Sequence, residues 1–387
     1  MQGNKRGGIR SIDYSDPQHL GKRRRQIRNW IILILVVILA VAAVRLVMNL
    51  GSSTQLEAKL MPCTADQDVT VFGSNLLYYD GASIQCLNRD GGIRWTFPVG
   101  SSARFSVSDT HIVIWSGTQL FIVDQNGSPS YSENMDSEVQ FARIGSSYCA
   151  VVIGDDTSPE LIIKNLDGTQ VDRESDAFRK LMLMDVGFYG TGDQYMWTLS
   201  MDVYGVAINM VLNTFQVGKM NTGETDLGEY LAYRVLFENN MLRVFTTQQM
   251  YTYDYKAVQD VSRTQLVYGW QLIDASIPDR GSANMLLAPT AQLNSALTIT
   301  ELRVLTDTTD RRYTLPSACV GARIDGSNLY AVSSDYLYHA NVDKQRFYGY
   351  ILPLPQGVQA TRFIGILKGG YGVISAGEQV YVMSLPH

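Results

Sequence analysis

The sequence predicts an all-β protein, a β-propeller of eight blades (seven is the alternative) that follows one transmembrane helix. Two observations predict the propeller. From Val69 onward, short runs of β-forming residues alternate with turns rich in Gly, Asn and Asp, and one such turn recurs about every 40 residues, which is typical of four-stranded blades. The third observation, a basic cluster followed by an unbroken apolar run near the N-terminus, predicts the helix.

The recurring turn sets the length of the repeat. Each turn follows an apolar strand and often precedes an aromatic one, and the turns stand at Asn88, Asp124, Asn165, Asn213 and Asp254. A single blade cannot cover both of its faces, so several blades must close into a ring. We count about eight units from the strand patterns.

The apolar run has the length of a membrane span. It contains Arg45 and Asn49 as its only strongly polar residues. A helix rises about 1.5 Å per residue, so the run matches a hydrocarbon core of roughly 30 Å, and residues 30–50 are predicted to contact the lipid bilayer. The predicted parts of the chain are a disordered basic head (1–28), a transmembrane signal-anchor helix (29–50) and an extracytoplasmic β-propeller (51–387).

The basic cluster before the run predicts the direction of insertion. Its members are Lys22, Arg23, Arg24, Arg25 and Arg28. Positively charged flanks stay in the cytoplasm, so the head is predicted inside a bacterial cytoplasmic membrane and the C-terminal body outside it. The cluster is thus topology-determining, and it could also bind anionic lipid headgroups.

A cleaved signal peptide is the alternative to the anchor. The tripeptide Ala40-Val41-Ala42 resembles a cleavage site, with cleavage after Ala42. Against cleavage, the apolar character continues beyond this site to Met48. Both interpretations place the body outside the cytoplasm.

The charge is divided unevenly along the chain. Of 32 Lys and Arg and 37 Asp and Glu, residues 1–28 hold eight basic and two acidic ones, and Arg45 stands in the apolar run. From residue 52 onward, 23 basic residues remain against 35 acidic ones, a net charge of −12. Nucleic-acid binding requires clustered cations, so the acidic body argues against a nucleic-acid partner.

The last unit requires a strand from elsewhere. It gives Tyr371 to Ile374 and Gln379 to Met383, and the sequence ends before a fourth strand. An open edge strand invites aggregation, so we predict that Gln55 to Leu60, with its alternating apolar residues, supplies that strand. The best candidate for a short helix is Ser175 to Met184.

The cysteines leave the redox state open. Four of them lie in the exported part, Cys63, Cys86, Cys149 and Cys319. They allow three pairings, and no spacing indicates one of them. A protein of this size does not require a disulfide, so free buried thiols are an equal alternative.

One turn and the strand after it carry a resemblance to a known family. Asn88-Arg89-Asp90-Gly91 precedes Trp95, and this pattern resembles the repeat of the PQQ-like, or quinoprotein-like, propellers. The pattern matches well in the first unit and partly in three others. Together these units make up about half of the body. The resemblance implies that the turn glycine and the Trp bridge neighbouring blades. The anchored layout is similar to that of uncharacterised bacterial envelope propellers.

The resemblance also implies what a quinoprotein enzyme would need. Such enzymes hold their quinone with a vicinal disulfide, a stacking Trp and a Ca²⁺ bound by Glu, Asn and Asp. This chain has no adjacent cysteines, and we predict that its tryptophans pack blades together, namely Trp95, Trp115, Trp197 and Trp270. No cofactor-binding residues are therefore predicted.

Signatures of hydrolases are absent from the sequence. It has no G-x-S-x-G, no H-E-x-x-H and no P-loop. His111 and His339 fall in strand patterns and are predicted to be ordinary sheet residues. Asp155-Asp156 and Asp307 to Asp310 could offer oxygen ligands to Ca²⁺, but neither has the spacing of a known loop, and we predict solvated turns. No catalytic or metal-binding residues are predicted.

These observations predict a non-enzymatic, membrane-anchored scaffold. Its propeller face or channel would bind an envelope protein or a wall polysaccharide. The alternative is an anchored enzyme, either a quinone-dependent oxidoreductase or a glycan-active hydrolase. A sensor that signals through the head is a third possibility, although residues 1–28 show no domain.

Overall fold

The structure is a closed ring of eight antiparallel sheets. The computed structural model describes residues 56–278 and 281–386, with the side chains of residues 220, 221 and 296 left out. Thirty-two strands in these residues form eight sheets of four strands each. The prediction of an all-β propeller with eight blades is therefore confirmed, and the alternative of seven blades is wrong.

The predicted head, signal anchor and basic cluster lie outside the described residues. Within the described part of the chain, no helix combines the length and the apolar character that a membrane span requires.

The first four blades each use four consecutive strands. In chain order, with β1 (Ala58–Thr64) set apart, these are β2 (Thr70–Phe72), β3 (Asn75–Tyr79), β4 (Ser83–Leu87) and β5 (Ile93–Pro98) in blade one; β6 (Arg104–Val107), β7 (His111–Ser116), β8 (Gln119–Asp124) and β9 (Pro129–Asn134) in blade two; β10 (Val139–Ile144), β11 (Tyr148–Asp155), β12 (Ser158–Asn165) and β13 (Gln170–Glu174) in blade three; β14 (Met182–Tyr189), β15 (Tyr195–Asp202), β16 (Asn209–Gln216) and β17 (Met220–Gly228) in blade four.

Three further blades repeat this plan, and the eighth departs from it. The strands are β18 (Ala232–Glu238), β19 (Met241–Thr246), β20 (Gln249–Tyr253) and β21 (Gln265–Leu266) in blade five; β22 (Trp270–Ser276), β23 (Asn284–Pro289), β24 (Ile299–Leu305) and β25 (Asp310–Cys319) in blade six; β26 (Gly321–Asp325), β27 (Asn328–Val332), β28 (Tyr336–Asn341) and β29 (Tyr348–Ile351) in blade seven; β30 (Arg362–Leu367), β31 (Tyr371–Ala376), β32 (Gln379–Ser384) and β1 in blade eight.

Strand β1 closes the ring, as predicted. It pairs antiparallel with β32, with Ala58 opposite Met383 and Leu60 opposite Tyr381. The predicted donor, Gln55 to Leu60, overlaps the N-terminal part of this strand, which extends further to Thr64. The last blade thus takes its outer strand from the beginning of the described chain.

The helices of the described residues are single turns in loops. They are three 3₁₀ turns and one π turn, at Asp176–Phe178, Thr191–Asp193, Val261–Arg263 and Gln292–Ala296. The predicted helix from Ser175 to Met184 is wrong beyond its first turn. Met182 already begins β14, because the apolar side chains here enter the sheet of blade four.

The strand order gives the ring two distinct faces. Because the strands of a blade are antiparallel, the loops from second to third strand and the loops between blades share one face, which we call the top face. The loops from first to second strand and from third to fourth strand form the bottom face. The first strand of each of blades one to seven, and β30 in blade eight, is innermost and lines the central channel.

Candidate functional site

The first unit contains the joint between blades that the resemblance implied. Trp95 in β5 lies against the turn of the next blade, and its Nε1 donates a hydrogen bond to the carbonyl of Gln125 at 3.0 Å. A Cβ placed on Gly127 would lie 2.6 Å from Trp95 Cγ. Only glycine leaves room for the indole here, and the φ of Gly127, +81°, also favours glycine.

The same joint recurs between blades two and three with a tyrosine. The ring of Tyr131 contacts Gly168, where a Cβ would overlap it. Lys164 is 5% exposed, and its Nζ lies 2.7 Å from Glu133 and 5.2 Å from the centre of the Tyr131 ring. Blades one and two, and blades two and three, are thus joined by an aromatic ring that lies on a turn glycine.

We expect Gly127→Ala to lower the free energy of unfolding by about 2 kcal/mol more than Gly269→Ala does. Both glycines have a φ of +81°, so backbone strain is matched, but nothing lies within 4 Å of a Cβ on Gly269. Chemical denaturation of both variants measures the difference. Equal losses would show that the Trp95 contact adds nothing to the stability of the joint.

Trp115, Trp197 and Trp270 lie in the sheets, as do His111 and His339. Trp115 and Trp197 are 5% and 7% exposed and lie in hydrophobic clusters, whereas Trp270 is half-buried beside two guanidinium groups. His111 begins β7, and the ring of His339 in β28 stacks on Tyr330. The prediction that the histidines are ordinary sheet residues is confirmed.

The two carboxylate clusters differ from one another. Asp155 accepts hydrogen bonds from the backbone N–H groups of Thr157 and Ser158, as a solvated turn does. The prediction of a solvated turn is wrong for Asp307, which is 20% exposed and pairs with the buried Arg243. Arg243 and Asp307 are 64 residues apart in the sequence, so no local sequence pattern could predict that they pair. Within the described ranges, no three His, Cys, Asp or Glu side chains are grouped as a metal site.

All four cysteines are free and buried, namely Cys63, Cys86, Cys149 and Cys319. Burial raises the pKa of each thiol, to about 11 for Cys63 and about 12 for Cys149. Thiolates are the reactive form of cysteine, so these residues act as small core side chains. The sequence left open whether these cysteines form disulfides, and the structure shows that all four are free thiols.

Exposed apolar residues crowd the top face of blades four to six. They lie in the loops from second to third strand and in the loops between blades, and we call them the apolar crescent: Val203, Tyr204, Val206, Ile208, Tyr230, Leu231, Tyr268 and Leu297. Val206 is fully exposed, and Tyr268 and Leu297 are 71% and 78% exposed. Concentrated apolar exposure of this kind marks interaction surfaces.

Arginines line the central channel. The innermost strands of five blades carry one each, and these are Arg104, Arg143, Arg234, Arg323 and Arg362. Three of them border a cavity of about 700 Å³ at the top face, together with Phe105 and Phe141. Arg234 and Arg323 border a second cavity, of about 810 Å³, which extends to the bottom face.

Sequence reasoning missed these arginines, although a signal exists. Each follows a small or aromatic residue and precedes an apolar one at the start of its unit, as in Ala142-Arg143-Ile144 and Ala322-Arg323-Ile324. This recurring pattern is present in the sequence, but the sequence does not show that these arginines lie on the innermost strand of each blade.

The fold and these surfaces define the class of protein, an eight-bladed β-propeller with an open top face and an arginine-lined channel. Solved structures share the fold. The chain is similar to Saccharomyces cerevisiae Sqt1, with a TM-score of 0.57 and 9% identity over 86% of this chain and 100% of that one. It is also similar to BamB from Moraxella catarrhalis, with a TM-score of 0.48 and 10% identity over 86% and 98% of the two chains.

A third similar structure is the WD40 domain of Neurospora crassa Pan2, with a TM-score of 0.49 and 8% identity over 84% of this chain and 90% of that one. At 9% identity the likeness to Sqt1 shows the fold alone. No family model matches the chain, and no curated protein matches it.

Proposed function

We propose that this protein is a non-enzymatic scaffold, anchored in a bacterial cytoplasmic membrane, whose propeller binds a protein of the cell envelope at its top face. The apolar crescent carries the proposal. A soluble domain rarely leaves so many large apolar side chains exposed on neighbouring loops unless another protein covers them.

The N-terminal sequence supports the location. A basic cluster before a 21-residue run that is apolar except for Arg45 and Asn49 is the pattern of an uncleaved anchor with a cytoplasmic head. In this arrangement the propeller lies outside the cytoplasm, where it meets envelope proteins and wall polymers. The tyrosines in the crescent suit a protein partner, because tyrosine combines an apolar ring with a hydroxyl group and is enriched at interfaces.

We also propose kinship with the PQQ-like propellers. The contacts of Trp95 with Gly127 and of Tyr131 with Gly168 support it, because both join neighbouring blades in the way that the resemblance implied. This proposal concerns the fold alone, and we do not propose quinone chemistry for this chain.

Crosslinking of the full-length protein in its native membrane, followed by mass spectrometry, tests the proposal. We expect the double variant Val206→Asp, Ile208→Asp to lose most of the crosslinked partner, about tenfold or more, because two charges then enter an apolar contact. The matched control is Val261→Asp, which changes a 72% exposed valine on the bottom face.

The outcome separates the alternatives. A partner protein that is lost with the double variant and kept with the control supports the scaffold. Recovery of the propeller alone, or of a partner that the double variant retains fully, would contradict binding at the crescent.

A further inference from the structure

Three arginines near the top face have no partner. Arg104, Arg234 and Arg362 are exposed and make no hydrogen bond or ion pair with any described residue. They stand on blades two, five and eight, so they are spread around the channel at intervals of three, three and two blades. Each guanidinium offers five N–H donors, and this concentration of unpaired positive charge occurs in a body whose net charge is strongly negative.

These three arginines lie at one level of the channel. Each stands opposite the fifth residue of the second strand of its own blade, namely Trp115, Phe245 and Ser375. Because the second strand runs toward the top face, its fifth residue lies close to that face. We call Arg104, Arg234 and Arg362 the upper tier.

Two more arginines form a lower tier. Arg143 and Arg323 stand opposite the third residue of the second strand in blades three and seven, Ala150 and Tyr330. The tiers are two residues apart along the strands, which corresponds to about 7 Å. Arg323 donates three hydrogen bonds to the carbonyls of Ile364 and Ala322, and these neutral acceptors do not neutralise its charge.

The carboxylates of the channel offset only part of the positive charge of the upper tier. Asp185 accepts a hydrogen bond from Arg143 Nε at 2.8 Å, so this carboxylate is paired with an arginine of the lower tier. Burial raises the pKa of Asp274, whereas the hydrogen bond from the backbone N–H of Ile324 and the charges of Arg323 and Arg234 lower it, so Asp274 offsets part of the charge of Arg234. Asp68 borders the top cavity and is the one carboxylate there beside three arginines.

We propose that the channel binds an extended acidic peptide segment of the partner protein, which enters from the top face and places acidic side chains against the two tiers. This inference rests on the proposed function, because it names the chemistry of the partner. Alternate side chains of an extended chain are about 7 Å apart on one side, which matches the spacing of the tiers.

The walls between the arginines favour a peptide over an anionic polymer. Phe105 and Phe141 border the top cavity, and Ile273 and Ile364 border the lower one. A segment with apolar residues between acidic ones can contact both kinds of side chain, whereas a polyphosphate offers charge without apolar groups. The apolar crescent lies on the same face and would hold the domain to which the segment belongs.

Fluorescence anisotropy with the full-length protein tests the inference. The probe is a labelled peptide that alternates glutamate and valine, and the comparison probes are a peptide that alternates lysine and valine and a labelled polyphosphate. We expect each of Arg104→Gln, Arg234→Gln and Arg362→Gln to weaken binding of the acidic peptide about tenfold, and we expect added salt to weaken it as well.

Two controls keep the result interpretable. Arg346→Gln removes the same charge from an exposed loop of the bottom face and should leave binding unchanged. Val206→Asp, Ile208→Asp alters the crescent and should also leave binding of the short probe unchanged, so the channel and the crescent can fail separately. The upper-tier side chains make no hydrogen bond or ion pair with a described residue, and unchanged thermal midpoints would confirm that the variants fold.

Three results would overturn the inference. The first is equal binding of the acidic peptide by the wild type and a variant that lacks all three upper-tier arginines. The second is equal binding of the lysine peptide. The third is polyphosphate binding that is as tight as that of the peptide and equally dependent on the arginines, which would reassign the channel to polyanions in general.

Discussion

Replacing Arg243 by Leu is expected to lower the free energy of unfolding by about 3–5 kcal/mol, because a buried ion pair that loses one partner leaves an uncompensated charge. Arg243 and Glu238 are each 1% exposed at the side chain, and their atoms Nη2 and Oε1 lie 2.7 Å apart. Arg243 also pairs with Asp307 of blade six and donates to Thr252 Oγ1. Glu238 in turn accepts from the backbone N–H of Ala283 in blade six, so the network joins two blades.

Chemical denaturation monitored by circular dichroism measures this loss. The matched control is Arg263→Leu, whose side chain is 47% exposed and lies 3.3 Å from Asp260 and 3.9 Å from Asp307. This variant should cost less than about 1 kcal/mol, because exposed ion pairs contribute little. The double variant Arg243→Met, Glu238→Met should recover part of the loss, because it removes both buried charges. Similar losses for Arg243→Leu and Arg263→Leu would show that the network does not stabilise the ring.

Met61→Asp is expected to destabilise the closure of the ring by about 3 kcal/mol or more. Met61 in β1 is 3% exposed and belongs to a cluster that also contains Leu87 of blade one and Val380 of blade eight. A carboxylate at this position would be buried among apolar side chains between the first and last blades. The thermal midpoint should fall by roughly 5 °C or more.

The neighbouring residue provides the control. Leu60 lies on the same strand, is 50% exposed and faces away from the cluster. Leu60→Asp should change the free energy of unfolding by less than about 1 kcal/mol, because its new charge stays in water. If both aspartates had the same small effect, β1 would not be an integral strand of blade eight.

The fold was largely predictable because its signals are local and repeated. Runs such as His111 to Trp115, bounded by turns, identify strands one at a time. The missing fourth strand of the last unit indicated that another segment must complete the ring, and β1 does so. The prediction of the short helix was wrong because, over so few positions, the apolar residues near Met182 fit one face of a helix and one face of a strand equally well.

The functional surfaces were much less predictable, for a physical reason. Glu238 and Arg243 are close in sequence, but Asp307 and Ala283, which complete the network, come from the next blade. The arginines of the two tiers are separated by up to 258 positions between Arg104 and Arg362. These arginines come together in one channel only when the ring closes. A sequence pattern within a single blade therefore cannot predict that they are neighbours.

The pairing of β1 with β32 also determines when folding can finish. The backbone N–H of Glu57 donates to Ser384 Oγ, 327 residues further along the chain. During synthesis β1 emerges before the other described strands, and its partner β32 emerges after them. Contacts of such separation form slowly, so β1 remains an unpaired edge for most of the chain's emergence. We therefore expect ring closure to be the late and rate-limiting step, during which a chaperone would protect the chain from aggregation.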